Sequence, residues 1–106
     1  MTSVSADRPR PWAVSADSHN ASLQIDLVKQ TVVLPWSQFL FAEGDDTQVR
    51  PTFSTHEVAV TGSGLALLLS DLREERVLLL TEPGRAGRFI TESGPRITSV
   101  SLRRLE

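Results

Sequence analysis

The histidine best placed to do chemistry in this 106-residue chain is His56, which has a carboxylate, Glu57, beside it. A histidine next to a carboxylate can serve as a general base. But His56 alternates with Val58 and Val60 as one face of a strand, and consecutive strand residues point to opposite faces. Glu57 is therefore badly placed to orient the ring. The stronger reading is a half-buried histidine satisfied by a hydrogen bond at a sheet margin.

Glu43, Asp45 and Asp46 cluster within one turn and offer oxygen ligands. Calcium takes about six to eight oxygens from a wrapped loop, and magnesium requires near-octahedral geometry. This turn is too short to supply either alone. The second histidine, His19, lies far away in the N-terminal segment, so no metal is expected. The chain has no cysteine, which excludes disulfides, thiolate zinc sites, iron–sulfur clusters and thiol catalysis.

Thr61-Gly62-Ser63-Gly64 stands between a predicted strand and a predicted helix, where loops that bind anions are found. Ser63 and His56 are thus the two pocket candidates. Neither the dinucleotide fingerprint nor the Walker lysine motif accompanies the glycines, and Ser63 is sufficiently explained as a helix N-cap. No G-x-S-x-G elbow occurs. No catalytic residue is assigned and no cofactor is expected, so an enzyme built on His56 ranks last among the functional readings.

Charge is uneven along the chain. Residues 84–106 carry Arg85, Arg88, Arg96, Arg103 and Arg104 against two glutamates, whereas from 17 to 83 acidic residues outnumber basic ones ten to four. An arginine patch is the footprint of phosphate contacts. Arg103 and Arg104 would face opposite sides of a strand, however, and no interleaved aromatics form a stacking platform. The formal net charge of −2 gives no global drive toward nucleic acid or anionic membrane. Nucleic-acid or anion binding is the alternative reading, below the one that follows.

Trp36, Phe39, Leu40 and Phe41 form the most informative group. On one strand, Phe39 and Phe41 would share a face, with Trp36 and Leu40 on the other. A single helix cannot cover both sides of such a sheet. Either the sheet curls over, as a partial barrel or sandwich, or a second protein covers the remainder. Aromatic side chains are favoured anchors in such contacts. The first-ranked function is a non-catalytic interaction module, a homo-oligomer or a binder of a protein partner, with these four residues in the interface.

The elements that must position these groups follow from hydrophobic period. Alternation predicts strands over 22–29, 31–34, 36–42, 48–53 and 55–61. Pro35 and Pro51 mark edges or bends. Leu65, Leu68, Leu69 and Leu72 fit one helical face, predicting a helix over 64–75 with Asp71, Arg73, Glu74 and Glu75 toward solvent. The unbroken apolar run 77–80 predicts a central strand covered on both faces. A Gly/Pro-rich loop over 82–95 and a strand over 97–105 complete the chain. Strands grouped ahead of one helix predict an α+β fold: a mainly antiparallel sheet of six or seven short strands with the helix on one face.

Residues 1–20 are rich in Ser, Ala, Asp and Pro and are expected as a flexible tail, leaving 21–106 as the single domain. No apolar run reaches the length of a leader or a membrane span, so a cytoplasmic protein without a membrane partner is expected. The arginine bias fits a GC-rich bacterial genome, and LPWSQFLFAEG followed by FSTHEVAVTGSGL has the character of a small bacterial domain that implies no activity.

Overall fold

The computed structural model describes residues 10–84 and 94–105. In chain order these residues form β1 (Ala13–Val14), β2 (Ser22–Asp26), β3 (Thr31–Pro35), a 3-10 turn (Trp36–Gln38), β4 (Phe39–Gly44), β5 (Gln48–Phe53), β6 (His56–Ser63), α1 (Ala66–Arg73), β7 (Val77–Thr81) and β8 (Arg96–Arg104). This is a small α+β fold with one α-helix and eight strands among the described residues. The expected single sheet is instead two four-stranded sheets, ordered β1-β7-β2-β3 and β4-β5-β6-β8. All pairs are antiparallel except β2–β7. No closed barrel forms among the described residues.

Pro35 explains the division. It ends β3 with an extended backbone (φ −74°, ψ 136°), and the next three residues wind into a 3-10 turn rather than continuing as the expected 36–42 strand. The Trp36 N–H is taken by the Ala21 carbonyl at 3.0 Å, which pins the turn against the start of β2. The chain leaves this turn as β4, in the second sheet. One core cluster spans both sheets and the helix, with Leu23, Ile25 and Leu34 from the first sheet and Val49, Phe53, Val58, Val60 and Val100 from the second.

The strand–helix–strand unit also divides. β6 lies in the second sheet, while β7 returns to the first as the parallel neighbour of β2. Within β7, Val77 and Leu80 are buried but Leu78 is exposed, so the strand is central without being covered on both faces throughout. The leucine stripe behaves as its spacing predicts: Leu65, Leu68 and Leu72 are buried, and Leu69 packs against the core.

The ends of α1 are closed by other means than the sequence suggests. At its start, the Asp46 carboxylate accepts from the Gly64 N–H (3.1 Å) and the Ala66 N–H (3.3 Å), while the Asp46 carbonyl accepts from the Leu65 N–H (2.9 Å). Ser63, expected as the cap, belongs instead to β6, paired with Arg96. At its end, the Arg76 N–H reaches back to the Asp71 carbonyl and the Glu75 N–H to the Leu72 carbonyl. This is the double closure of a Schellman motif, and it places Glu75 at φ 54°, where glycine is the usual occupant.

Residues 10–20, expected within the tail, differ most from the reading of composition. Trp12 is 5% exposed, β1 pairs with β7, and the Ser15 N–H and the Asn20 N–H donate to the Arg76 and Glu75 carbonyls. The compensating interactions are supplied by residues about 60 positions away, which local composition cannot register. Residues 1–9 lie outside the described residues.

Candidate functional site

His56 opens β6 and is half-buried. Its Nδ1 is hydrogen-bonded to the Thr55 hydroxyl at 2.8 Å. Glu57, its neighbour, accepts instead from the Arg103 guanidinium at 2.6 Å, across the β6–β8 ladder. The structure does not bring the histidine and the carboxylate together, and alternation along the strand is the reason.

Each carboxylate of the acidic turn has work within the fold. Glu43 accepts from Arg50 at 3.0 Å. Asp45 Oδ1 accepts from the Thr47 N–H (2.9 Å), the Thr47 hydroxyl (2.9 Å) and the Gln48 N–H (3.0 Å). These bonds favour the ionised form, the Thr47 N–H most, and hold the Asp45 carboxyl below its ordinary range. Asp46 caps α1. Among the described residues, no group of three His, Asp or Glu side chains is arranged to hold a metal ion.

The same cap answers the glycine loop. The free N–H groups and the positive helix end that would attract an external anion are already met by Asp46. Gly62 has a packing reason of its own, since a Cβ there would overlap the Arg96 carbonyl oxygen. Gly64 sits at φ 70°, where a side chain is strained.

Hollows border the fold among the described residues. One, of about 230 Å³, is lined by Arg10, Pro11, Trp12, Ala13, Leu79 and Thr81. Another, of about 330 Å³, lies between the β2–β3 turn and β8, and its Glu82 carboxylate accepts from the Val28 N–H at 2.7 Å. Neither includes His56 or Ser63.

Of the five arginines, Arg85 and Arg88 lie outside the described residues. Arg96, Arg103 and Arg104 lie on β8, an edge strand of the second sheet. Arg103 is committed to Glu57. No helix among the described residues is long and apolar enough to cross a membrane.

The aromatic group is split by a bulge. Phe39 pairs with Phe53 but Phe41 pairs with Thr52, so β4 carries one extra residue at Leu40. An inserted residue flips the alternation beyond it. Trp36 and Phe39 turn inward, and their rings form a triangle with Phe53 at centroid distances of 5.0, 5.5 and 5.4 Å. The Trp36 indole N–H is buried without an acceptor among the described residues, so there this ring contributes packing rather than hydrogen bonding. Leu40 and Phe41 turn outward, 59% and 50% exposed, on the edge strand of the second sheet. Phe41 ends a cross-strand row, Phe41–Thr52–Glu57–Arg103, whose other members are polar.

One site escapes sequence reasoning altogether. Asp71, expected on the solvent face of α1, has a side chain only 3% exposed. Its Oδ2 accepts from the Trp12 indole N–H at 2.8 Å and from the Arg10 Nε–H at 2.9 Å. The available signal was a tryptophan and an arginine two residues apart in a segment otherwise poor in apolar groups. No family model, curated protein or solved structure matches this chain at a significant level.

Proposed function

We propose that this chain is a non-catalytic self-association module that pairs with a second copy through the outer edge of β4, which no strand among the described residues covers. The observation that carries this reading is the exposure of two adjacent large apolar side chains, Leu40 and Phe41, on an edge strand. The other sheet edges are poorer templates. β1 has two residues, β3 ends in Pro35, and β8 carries Arg96, Arg103 and Arg104; short length, proline and charge all discourage edge pairing. Antiparallel pairing of β4 with β4 across a twofold axis would satisfy both open edges and cover both copies of Leu40 and Phe41. A chain without cysteine suits a reducing compartment, and we place the module in the cytoplasm on that ground.

Light scattering over a range of concentrations tests the reading. Burying a phenylalanine contributes about 1.5–3 kcal/mol per copy, so Phe41→Asp should weaken association about 100-fold or more. A chain monomeric at every concentration overturns the proposal, as does an assembly that Phe41→Asp leaves unchanged. If the monomer instead binds an oligonucleotide, with an affinity that falls steeply with salt and with Arg103→Glu/Arg104→Glu, the arginine reading replaces it.

A further inference from the structure

Residues 10–14 meet the rest of the chain as a bound peptide would. Trp12 inserts into the core cluster, β1 adds to the edge of β7, and Arg10 and Trp12 both donate to the buried Asp71 carboxylate. The docking site is complementary in charge, shape and backbone pairing to five consecutive residues. The connection back to the body runs through Ala16, Asp17, Ser18 and His19, all exposed. His19 closes it at φ 59°, a left-handed backbone that disfavours residues bearing a Cβ. The body resumes where the His19 and Asn20 N–H groups donate to the Glu74 and Glu75 carbonyls.

We propose that residues 10–14 are an exchangeable arm, and that the site formed by β7 and Asp71 receives them from a second copy of this chain. Exchange preserves every docking contact, because donor and acceptor sequences are the same in both arrangements. What changes is the hinge: opening residues 16–19 lets His19 leave its left-handed conformation, and strain in a short hinge is a recognised drive toward exchange. Four extended residues reach roughly 14 Å, so the two copies must meet near the C-terminal end of α1. That region lies apart from Leu40 and Phe41 in the chain and does not depend on the β4 reading.

The full chain has no cysteine, so a single designed pair reports the connectivity. Ala13 and Leu79 are register partners of β1 and β7, and Ala13→Cys/Leu79→Cys joins the arm to whichever copy holds it. After mild oxidation at high protein concentration, a non-reducing gel should show the crosslinked product at twice the chain mass. It should do so equally with Phe41→Asp added, which separates arm exchange from β4 pairing. A crosslinked monomer, an uncrosslinked chain, or a dimer lost with Phe41→Asp overturns the proposal. His19→Gly, in the otherwise native chain carrying Phe41→Asp, should lower dimer formation about tenfold by light scattering; an unchanged equilibrium overturns the hinge argument.

Discussion

Trp12→Ala should cost this fold about 3–5 kcal/mol, the usual loss for truncating a buried tryptophan. The side chain is 5% exposed and its indole N–H meets the Asp71 carboxylate at 2.8 Å. An indole buries roughly 150–250 Å², which at about 25 cal/mol per Å² gives an upper limit near 4–6 kcal/mol. Trp12→Phe keeps most of the ring and deletes the donor, so it should cost about 1.5–3 kcal/mol, the value of a hydrogen bond to a charged group. Small domains hold only about 5–15 kcal/mol in all, and the alanine variant should be marginal. Urea unfolding by circular dichroism at one fixed concentration measures both losses, and the remaining indole, Trp36, gives an independent fluorescence probe. A solvated tail would make Trp12→Ala cost less than about 0.5 kcal/mol. That result, with both probes coincident, would refute the docking of residues 10–14. Equal losses for Phe and Ala would refute the packing share of the estimate.

Glu75→Gly should stabilise the fold by about 1 kcal/mol, since it relieves a left-handed residue at the end of α1; the His19 contact it removes, at 3.4 Å, is exposed and worth little. No gain in urea midpoint would count against the Schellman closure. Asp46→Ala should cost about 1–2 kcal/mol, as loss of an N-cap does, whereas Ser63→Ala should cost under about 0.5 kcal/mol; the reverse order would restore the serine as the cap. Asp45 gives a pH signature. Because its folded-state pKa is depressed, its ionised bonds stabilise the hairpin above the ordinary aspartate pKa, and this contribution is lost as pH falls through the lower folded value. Asp45→Asn should remove that dependence, and NMR titration should find the Asp45 carboxyl protonating below the ordinary aspartate range; titration at the ordinary value would overturn the turn geometry.

The parts of the fold legible in the sequence are those set by local period. The leucines of α1, the alternation of Leu23 and Ile25, and that of Val58 and Val60 each place a side chain relative to its neighbours, and the structure keeps them. Three features were not legible in local period. Asp71 is buried because Trp12 and Arg10 come to it, and a carboxylate on a helix reads as exposed until such donors are known. The division into two sheets turns on Pro35, whose missing N–H was legible but whose consequence, a 3-10 turn into another sheet, was not. At the candidate interface, Trp36, Phe39, Leu40 and Phe41 were recognisable as an apolar group too large for one strand face. One inserted residue decided which two turned outward, and residue types alone carry no mark of a bulge.

The acidic side chains that first suggested chemistry, and the buried Asp71 that did not, are committed to the fold. Glu43 is paired with Arg50, Asp45 ties the hairpin, Asp46 caps α1, Glu57 is paired with Arg103, and Asp71 holds the N-terminal segment. A metal or a basic ligand would have to compete with each of these bonds, and breaking them costs the scaffold that would present the site. On the outer face of the second sheet, charges of opposite sign therefore neutralise one another along the rows. Phe41 ends such a row and Leu40 bulges beside it, and among the described residues no strand pairs with the outer edge of β4. Contact there gains apolar burial and strand pairing together, whereas a phosphate approaching Arg103 must first part it from Glu57. That difference is the ground on which the proposed reading prefers the β4 edge to the arginine segment.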